Sequence, residues 1–219
     1  MKKIIILSSI FLVSIILKGT KTIHVYVALC DNKYQGIVPV PERIGNGQNP
    51  NTNLYWGCGY GVRSFFKLKT KDWELVRTFK PNNPKILERV LFKHVKQDVY
   101  LLADAYDGKH IKTCTEDFLK ASNKQNPLKI NPISSIQLNF GGKADLVSYI
   151  GHNGLMDFDV NIKFNKIDSS AKKTDVIILA CYSKNYFKPH IIKACANPIL
   201  WTTHLMAPEA YTLKSAIDG

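Results

Sequence analysis

Two apolar stretches, DLVSYIG at Asp145–Gly151 and DVIILAC at Asp175–Cys181, carry most of the information about how this chain folds. Both are short runs of aliphatic and aromatic residues bounded by polar ones, which is the pattern of a strand buried on both faces. The first stretch is followed at once by His152, and the second ends in a cysteine. A candidate base and a candidate nucleophile therefore stand at the ends of two successive predicted core strands.

Strands and helices alternate around these two stretches. Further core strands are predicted at Thr22–Cys30, Asp98–Tyr106 and Pro198–Thr203, and helices at Ile111–Ala121 and Ser183–Ala194. Nearly continuous apolar strands separated by helices are typical of a mostly parallel central sheet flanked by helices on both faces. We therefore expect an α/β fold that binds its ligand beyond the carboxyl ends of the strands.

The segments between these elements give weaker patterns. Residues 31–53 are rich in Gly, Pro and Asn and predict a long ordered loop. Leu54–Phe66 has the apolar spacing of a helix, but its three glycines indicate either a close backbone approach or a loop that becomes helical only afterwards. Trp73–Phe79 and Ile86–Val95 flank a Pro-Asn-Asn-Pro turn, which predicts an inserted antiparallel hairpin, although the second segment is also compatible with a helix. Residues 123–143 are expected to be irregular.

The first residues have the composition of an export signal. Lys2 and Lys3 precede Ile4–Leu17, a run of 14 residues without charge. This run is shorter than the roughly 18 residues of a spanning helix. We expect residues 1–21 to be either a signal peptide or an uncleaved N-terminal anchor that associates with the membrane. Residues 22–219 are then a single exported domain, secreted or periplasmic.

The composition excludes several classes of protein. The 219 residues are 45% hydrophobic and 21% charged, which does not fit intrinsic disorder, a disulfide-stapled mini-protein or a fibrous repeat. Thirty Lys and Arg against 17 Asp and Glu give a net charge of +13, which favours phosphates, anionic membranes or acidic substrates. Basic and aromatic residues interleave over Tyr182–Lys193, but no nucleic-acid motif accompanies them, and no nucleic-acid partner is expected.

The cysteine and histidine meet the requirements of nucleophilic catalysis. If the two strands are neighbours in the sheet, they lie about 4.8 Å apart, and His152 and Cys181 come within reach of each other. The imidazole then takes the thiol proton or stabilises the thiolate, and a helix beginning at Ser183 turns its positive end toward the sulfur. The backbone N–H groups of Asn153, Gly154 and Cys181 are candidates for an oxyanion hole.

This arrangement resembles the caspase-like cysteine peptidases, a group that includes caspases, legumain, gingipains, separases and clostripain. In that group a strand ending in His-Gly precedes a hydrophobic strand ending in Ala-Cys. The matching segments here are YIGHNGLMD at residues 149–157 and VIILACYS at residues 176–183. The resemblance implies Cys181 as the nucleophile, His152 as the general base or acid, a peptide or protein substrate, and no cofactor. Asn153 stands where the group usually has glycine.

Two alternatives to a peptidase remain open from the sequence. Asn153, directly after His152, favours a catalytically inactive member of the same fold that binds a partner in the same crevice. The chain has five cysteines, an odd number that leaves at least one without an intramolecular partner. In an unrelated fold, Cys181 would form a disulfide bond with Cys30 or Cys195.

Carboxylates at strand ends give two further hypotheses. Asp31 follows the first predicted strand and is a candidate for a polar, substrate-binding wall of the cleft. Asp104, Asp107, Asp157 and Asp159 are the residues from which a divalent-metal site would have to be built. Because carboxylates are common at strand ends and in turns, we expect no metal site.

Overall fold

The computed structural model describes residues 19–133 and 136–218. The predicted export segment, residues 1–21, lies outside the described residues except for its last three positions. No helix in the two described ranges combines the length and the apolar character needed to cross a bilayer.

The described residues form a large sheet and a separate two-stranded sheet. In chain order the strands are β1 (Lys21–Ala28), β2 (Trp73–Phe79), β3 (Ile86–His94), β4 (Val99–Tyr106), β5 (Pro127–Ile133), β6 (Ile136–Gly141), β7 (Leu146–Ile150), β8 (Asp175–Leu179) and β9 (Asn197–Trp201). The large sheet has seven strands in the order β2-β3-β4-β1-β7-β8-β9. The pairs β2–β3 and β3–β4 are antiparallel, and the other four neighbouring pairs are parallel. The prediction of an α/β fold with a mostly parallel central sheet is confirmed.

The predicted hairpin is present, and it extends the large sheet. β2 pairs with β3, and β3 continues the sheet by pairing with β4. The alternative of a helix over residues 86–95 is excluded, because Leu91 is buried in one core cluster and its neighbours Val90 and Phe92 are buried in another. This alternation is the signature of a strand covered on both faces.

The helices are α1 (Val62–Leu68), α2 (Ile111–Ser122), α3 (Ser183–Lys193) and α4 (Ala210–Asp218). α2 and α3 match the predicted helices to within one residue at each end. Of the alternatives for Leu54–Phe66, the loop that becomes helical only afterwards is confirmed, because residues 54–61 form turns. There the Asn53 carbonyl accepts hydrogen bonds from the N–H groups of residues 56–58, and the chain becomes helical only at Val62.

The expectation of an irregular segment over residues 123–143 is also wrong, because β5 and β6 pair there as an antiparallel hairpin. Leu138 and Phe140 of β6 point to the same side and are buried against Leu102 of the large sheet. This alternation of buried and exposed residues is short. The prolines and asparagines within and around it concealed it in the sequence.

Successive side chains of the central strand β1 enter different parts of the core. Val25 and Val27 belong to a cluster that includes buried residues of α1 and α4. Tyr26 and Ala28 belong to a second cluster, with buried residues of α2 and α3. The strands are thus anchored through alternate residues, which fixes their register and the direction in which each strand end presents its next side chain.

A network of buried polar groups joins the large sheet to the small one. The Asp104 carboxylate accepts hydrogen bonds from Arg89 at 2.5 and 2.7 Å and lies 3.1 Å from His24 Nε2. The Gly141 N–H donates to His24 Nδ1 at 3.0 Å. Burial lowers the pKa of His24. Burial alone would raise the pKa of Asp104, but the hydrogen bonds from Arg89 and His24 hold that pKa below its ordinary value.

The strand order places a topological switch at the carboxyl end of β1. This strand lies between β4 and β7, so the chain builds one side of the sheet first and the other side afterwards. Open α/β sheets bind ligands at such a switch, in the crevice beyond the strand ends. The long loop of residues 31–53 leaves β1 at this point and contributes to the cavity described below.

Candidate active site

His152 and Cys181 occupy equivalent positions beyond neighbouring strands. β7 and β8 pair in parallel with Ile150 opposite Leu179, and each of the two residues lies two positions farther along its chain segment. Neighbouring strands lie about 4.8 Å apart, so both residues emerge at the same edge of the sheet. The expectation that these two strands are neighbours is confirmed.

A glycine turns the chain out of β7 immediately before His152. Gly151 has a φ of +148°, which residues with a side chain rarely adopt, and a Cβ there would lie 2.8 Å from the Ala28 carbonyl oxygen. Only glycine allows this conformation and this close approach to β1. His152 is therefore carried by a tightly packed turn.

Cys181 lies on a sharp turn from β8 into α3. Tyr182, the next residue, has the left-handed conformation with φ 48° and ψ 32°. This conformation costs a residue other than glycine about 1–3 kcal/mol. The Tyr182 N–H donates to the His204 carbonyl at 2.9 Å. α3 begins two residues after the thiol, and the partial positive charge at the amino end of a helix stabilises a nearby anion.

Hydrogen bonds from two hydroxyl groups hold this turn against the edge strand β9. Ser183 Oγ donates to the Ile178 carbonyl at 3.0 Å and accepts from the Thr202 N–H at 2.8 Å. The Thr202 hydroxyl donates to the Ala180 carbonyl. The cysteine is thus fixed by contacts with its own strand and with the neighbouring one.

The imidazole of His152 is held by Asp157, which the sequence offered only as a metal ligand. His152 Nε2 lies 2.7 Å from Asp157 Oδ2, and the Gly36 N–H donates to the same oxygen at 3.1 Å. With its proton on Nε2, the ring donates to Asp157, and Nδ1 is the nitrogen left for proton exchange. The Tyr149 hydroxyl also fixes the backbone, since it donates to the His152 carbonyl at 2.7 Å.

Asn153 and Gly154, both predicted to form the oxyanion hole, make different contacts. The Asn153 side chain donates to the Cys181 carbonyl at 2.7 Å and accepts the Leu155 N–H at 3.2 Å, so it ties the two strand ends together. The Gly154 N–H donates to the His152 carbonyl at 3.0 Å, which removes it from the predicted oxyanion hole. The N–H groups of Asn153 and Cys181 have no hydrogen-bond acceptor among the described residues and remain candidates.

The sulfur of Cys181 contacts the backbone of Met206. Sγ lies 3.5 Å from the Met206 carbonyl oxygen and 3.5 Å from the Met206 nitrogen. A thiol donates to the first of these groups, and a thiolate accepts from the second, so the same backbone accommodates both protonation states. In the part of the chain that the structure describes, the sulfur makes no hydrogen bond to His152.

Cys181 and His152 line one cavity of about 250 Å³ at the carboxyl edge of the sheet. The other lining residues come from four separate segments of the chain and are Gly36, Ile37, Val38, Tyr55, Gly151, Met156, Leu205, Met206 and Pro208. None of these nine is a lysine, arginine, aspartate or glutamate. A candidate nucleophile and a candidate base thus share a small cavity with mostly apolar walls.

Asp31 is not among the residues of this cavity. It is 1% exposed, and its carboxylate accepts hydrogen bonds from the Lys33 N–H at 2.9 Å and from the Gln48 side chain at 2.7 Å. Gly47 lies so close that a Cβ there would come within 2.2 Å of the same carboxylate. Contrary to the prediction, the structure does not bring Asp31 to the cleft. Its carboxylate organises the loop of residues 31–53 instead.

All five cysteines are free thiols, so Cys181 is not bonded to Cys30 or Cys195. Burial raises the pKa of Cys30 to about 11, and burial also raises the pKa of Cys114. Neither of these two thiols therefore ionises near neutral pH. Cys181 is partly exposed, as are Cys58 and Cys195, and it is placed in a cavity with a histidine.

Within residues 19–133 and 136–218, no group of three or more His, Cys, Asp or Glu side chains is placed to hold a metal ion. Three of the four carboxylates considered as ligands, Asp104, Asp107 and Asp157, have other partners. Asp104 belongs to the buried network with Arg89, and Asp107 accepts from the Gln48 side chain at 2.6 Å. Asp157 contacts the ring of His152.

The sequence did not reveal the contact of Asp157 with the histidine, nor the lining residues of the cavity, among them Met206 and Tyr55. The sequence does contain a pattern that indicates the contact of Asp157. This carboxylate comes five residues after the histidine, and the turn between them contains a glycine, so the carboxylate can fold back onto the ring. Met206 contributes its backbone to the sulfur, and no side-chain pattern reports such a contact. Tyr55 reaches the cavity through the turns of residues 54–61, a segment for which the sequence left both helix and loop open.

The site consists of a cysteine and a histidine beyond adjacent parallel strands of an α/β sheet, with a carboxylate that contacts the histidine ring. No protein-family model matches the chain, and no curated protein and no solved structure matches it either.

Proposed function

We propose that the protein is an exported cysteine peptidase of caspase-like type, with Cys181 as nucleophile and His152 as general base and acid. One observation carries the proposal: the two side chains stand at equivalent positions beyond neighbouring parallel strands and line one cavity. The proposal includes a caspase-like arrangement in which α1 and α4 cover one face of the large sheet and α2 and α3 cover the other. The two core clusters support that arrangement.

In the proposed reaction, the Cys181 thiolate attacks the carbonyl carbon of a peptide bond after the thiol proton has passed to His152 Nδ1. The C–N bond breaks, and the imidazolium delivers that proton to the leaving amine. The acyl group remains on the sulfur as a thioester. Water then attacks the thioester, His152 moves its proton to the sulfur, and the net reaction adds one water to one peptide bond.

Backbone N–H groups would stabilise the negative charge that develops on the carbonyl oxygen. The N–H groups of Asn153 and Cys181 suit this role, because they have no acceptor among the described residues and flank the two reacting side chains. Loss of one such donor typically slows acyl transfer by about 10²–10³-fold. Two donors would thus make a large contribution to catalysis.

Contacts around the reacting groups support the same assignment. Asp157 holds His152 through Nε2, so that a single nitrogen is left for proton transfer. The Met206 N–H, 3.5 Å from the sulfur, and the amino end of α3 both favour the thiolate.

The test is labelling with peptidyl acyloxymethyl ketones, reagents that form a thioether with an activated cysteine. We expect one label per molecule, located on Cys181 by peptide mass spectrometry, and we expect Cys181→Ala to remain unlabelled. Cys195→Ala is the matched control, because Cys195 is another partly exposed free thiol; it should label like the wild type. Label that persists in Cys181→Ala, or that spreads evenly over the exposed thiols, would refute the proposal.

A second candidate is a binding protein that uses the same cavity without catalysis. The lack of a hydrogen bond between Cys181 and His152 among the described residues favours it, because catalysis needs proton transfer between these two side chains. This candidate predicts that Cys181 reacts no faster than Cys195 with iodoacetamide. A peptidase predicts a clearly faster reaction at Cys181.

A further inference from the structure

We infer that the cavity selects an apolar side chain, of about the size of leucine, on the substrate residue whose carbonyl carbon is attacked. This inference rests on the proposed peptidase function and names the class of substrate. The residue that becomes bonded to the sulfur must carry its side chain into the space beside Cys181, and that space is the cavity described above.

The walls of the cavity are large apolar side chains that are left open to solvent. Val38 is 88% exposed, Leu205 72% and Met156 42%. They follow three different strands, β1, β9 and β7, and yet meet at one opening. Exposed apolar side chains scattered singly need no explanation, but their convergence beside a nucleophile marks a binding surface for an apolar group.

The cavity offers no partner for a charged side chain. A lysine or arginine would need a carboxylate, and Asp157 is outside the lining and already shared by His152 and the Gly36 N–H. An aspartate or glutamate would need a cation, and the lining has no lysine or arginine, while its histidine, His152, is already held by Asp157. The net charge of +13 is thus carried elsewhere and does not select an acidic residue at this position. Because the walls are open to solvent, a charged side chain there is only partly desolvated, and we expect a rate loss of about tenfold.

The cavity has room for a large side chain. About 250 Å³ is roughly eight times the ~30 Å³ that a water molecule occupies in the liquid. Leucine, methionine or phenylalanine fits such a volume, whereas alanine leaves most of it empty. An apolar pocket discriminates about 10–200-fold for a single methylene, so a difference of at least tenfold between leucine and alanine is expected.

The experiment compares four acyloxymethyl ketones that differ only in the residue next to the reactive carbonyl: leucine, alanine, lysine and aspartate. The rate of labelling at Cys181 is measured for each by intact mass. We expect the leucine probe to react at least about tenfold faster than the alanine probe and about tenfold faster than either charged probe.

A substitution at the rim tests whether this cavity makes the selection. Val38→Glu adds a carboxylate at an exposed position, so the fold is preserved, and it should raise the rate of the lysine probe relative to the leucine probe by about two- to fivefold. Val95→Glu is the matched control. It makes the same change at an exposed valine outside the cavity and should leave the ratio unchanged.

The outcomes separate the two proposals. If none of the probes labels Cys181, the peptidase function fails, and the inference fails with it. If Cys181 is labelled but the lysine or aspartate probe reacts fastest, the peptidase function stands and the apolar selection is overturned. The same ratio in Val38→Glu as in Val95→Glu would overturn the assignment of this cavity as the selecting pocket.

Discussion

Replacing Asp157 with alanine should slow the proposed hydrolysis about tenfold. The Asp157 carboxylate accepts hydrogen bonds from His152 Nε2 at 2.7 Å and from the Gly36 N–H at 3.1 Å. A hydrogen bond to a charged group contributes about 1.5–3 kcal/mol. The lower end of that range applies here, because the Asp157 side chain is 32% exposed and solvent weakens its charge. Since about 1.4 kcal/mol corresponds to a factor of ten, the expected loss in kcat/KM is about tenfold.

Two further variants distinguish orientation of the ring from a general effect of charge. Asp157→Asn keeps an oxygen acceptor without the charge, and a neutral hydrogen bond contributes about 0.5–1.5 kcal/mol, so its rate should fall between wild type and Asp157→Ala. Asp159→Ala removes an exposed carboxylate two residues farther along and should change little. The assay is release of aminocoumarin from a peptide amide ending in leucine, with thermal melting as the check on folding. Equal rates in wild type and Asp157→Ala, or an equal loss in Asp159→Ala, would refute the proposed role of Asp157.

Two predictions concern stability. Acidification below pH 6.5 should lower the melting temperature. Burial holds the pKa of His24 in the folded state below 6.5, so the unfolded chain binds a proton at His24 more tightly than the folded chain does. The free energy of unfolding therefore falls as the pH falls. A second decline should follow below pH 3.8, the ordinary pKa of an aspartate. The lowered pKa of Asp104 stabilises the folded state above that pH, and this stabilisation is lost as the pH falls further. The first decline should be smaller in His24→Gln, and an unchanged melting profile in that variant would contradict the assignment. Gly151→Ala should destabilise the fold by about 1–3 kcal/mol in urea unfolding, because of its φ of +148° and the contact with Ala28; no loss would contradict the tight turn.

The sequence predicted the large sheet well because its signal is local and strong. Asp145–Gly151 and Asp175–Cys181 are apolar enough to be buried on both faces, and the alternation with helices then indicates a mostly parallel sheet. The order of the strands, and with it the neighbourhood of His152 and Cys181, needs pairings between distant segments. The structure confirms that neighbourhood, whereas the catalytic roles of the two residues stay a prediction.

Where the sequence was ambiguous or misleading, the causes are physical. The segment 54–61 has helical spacing, which left a helix and a loop both open; its glycines favour turns, and the Asn53 carbonyl accepts the N–H groups that close them. β6 has only Leu138 and Phe140 as buried alternating positions, too few to outweigh the polar residues around them. Asp31 was assigned by its place after a core strand. A carboxylate at such a place also satisfies the N–H groups of the loop that follows, and at Asp31 this second role is the one observed.

One carboxylate connects the wall of the cavity to the histidine. Gly36 donates its N–H to the same Asp157 oxygen that His152 contacts, and Gly36, Ile37 and Val38 form one side of the cavity. A substrate side chain that packs on this wall would therefore contact the segment 36–38, whose Gly36 N–H helps to hold Asp157. Because a small displacement of a catalytic group costs much of its efficiency, we expect substrate binding and proton transfer to be coupled in the proposed peptidase. In Asp157→Ala, a poorly fitting alanine substrate and a leucine substrate should therefore differ less in kcat than they do in the wild type.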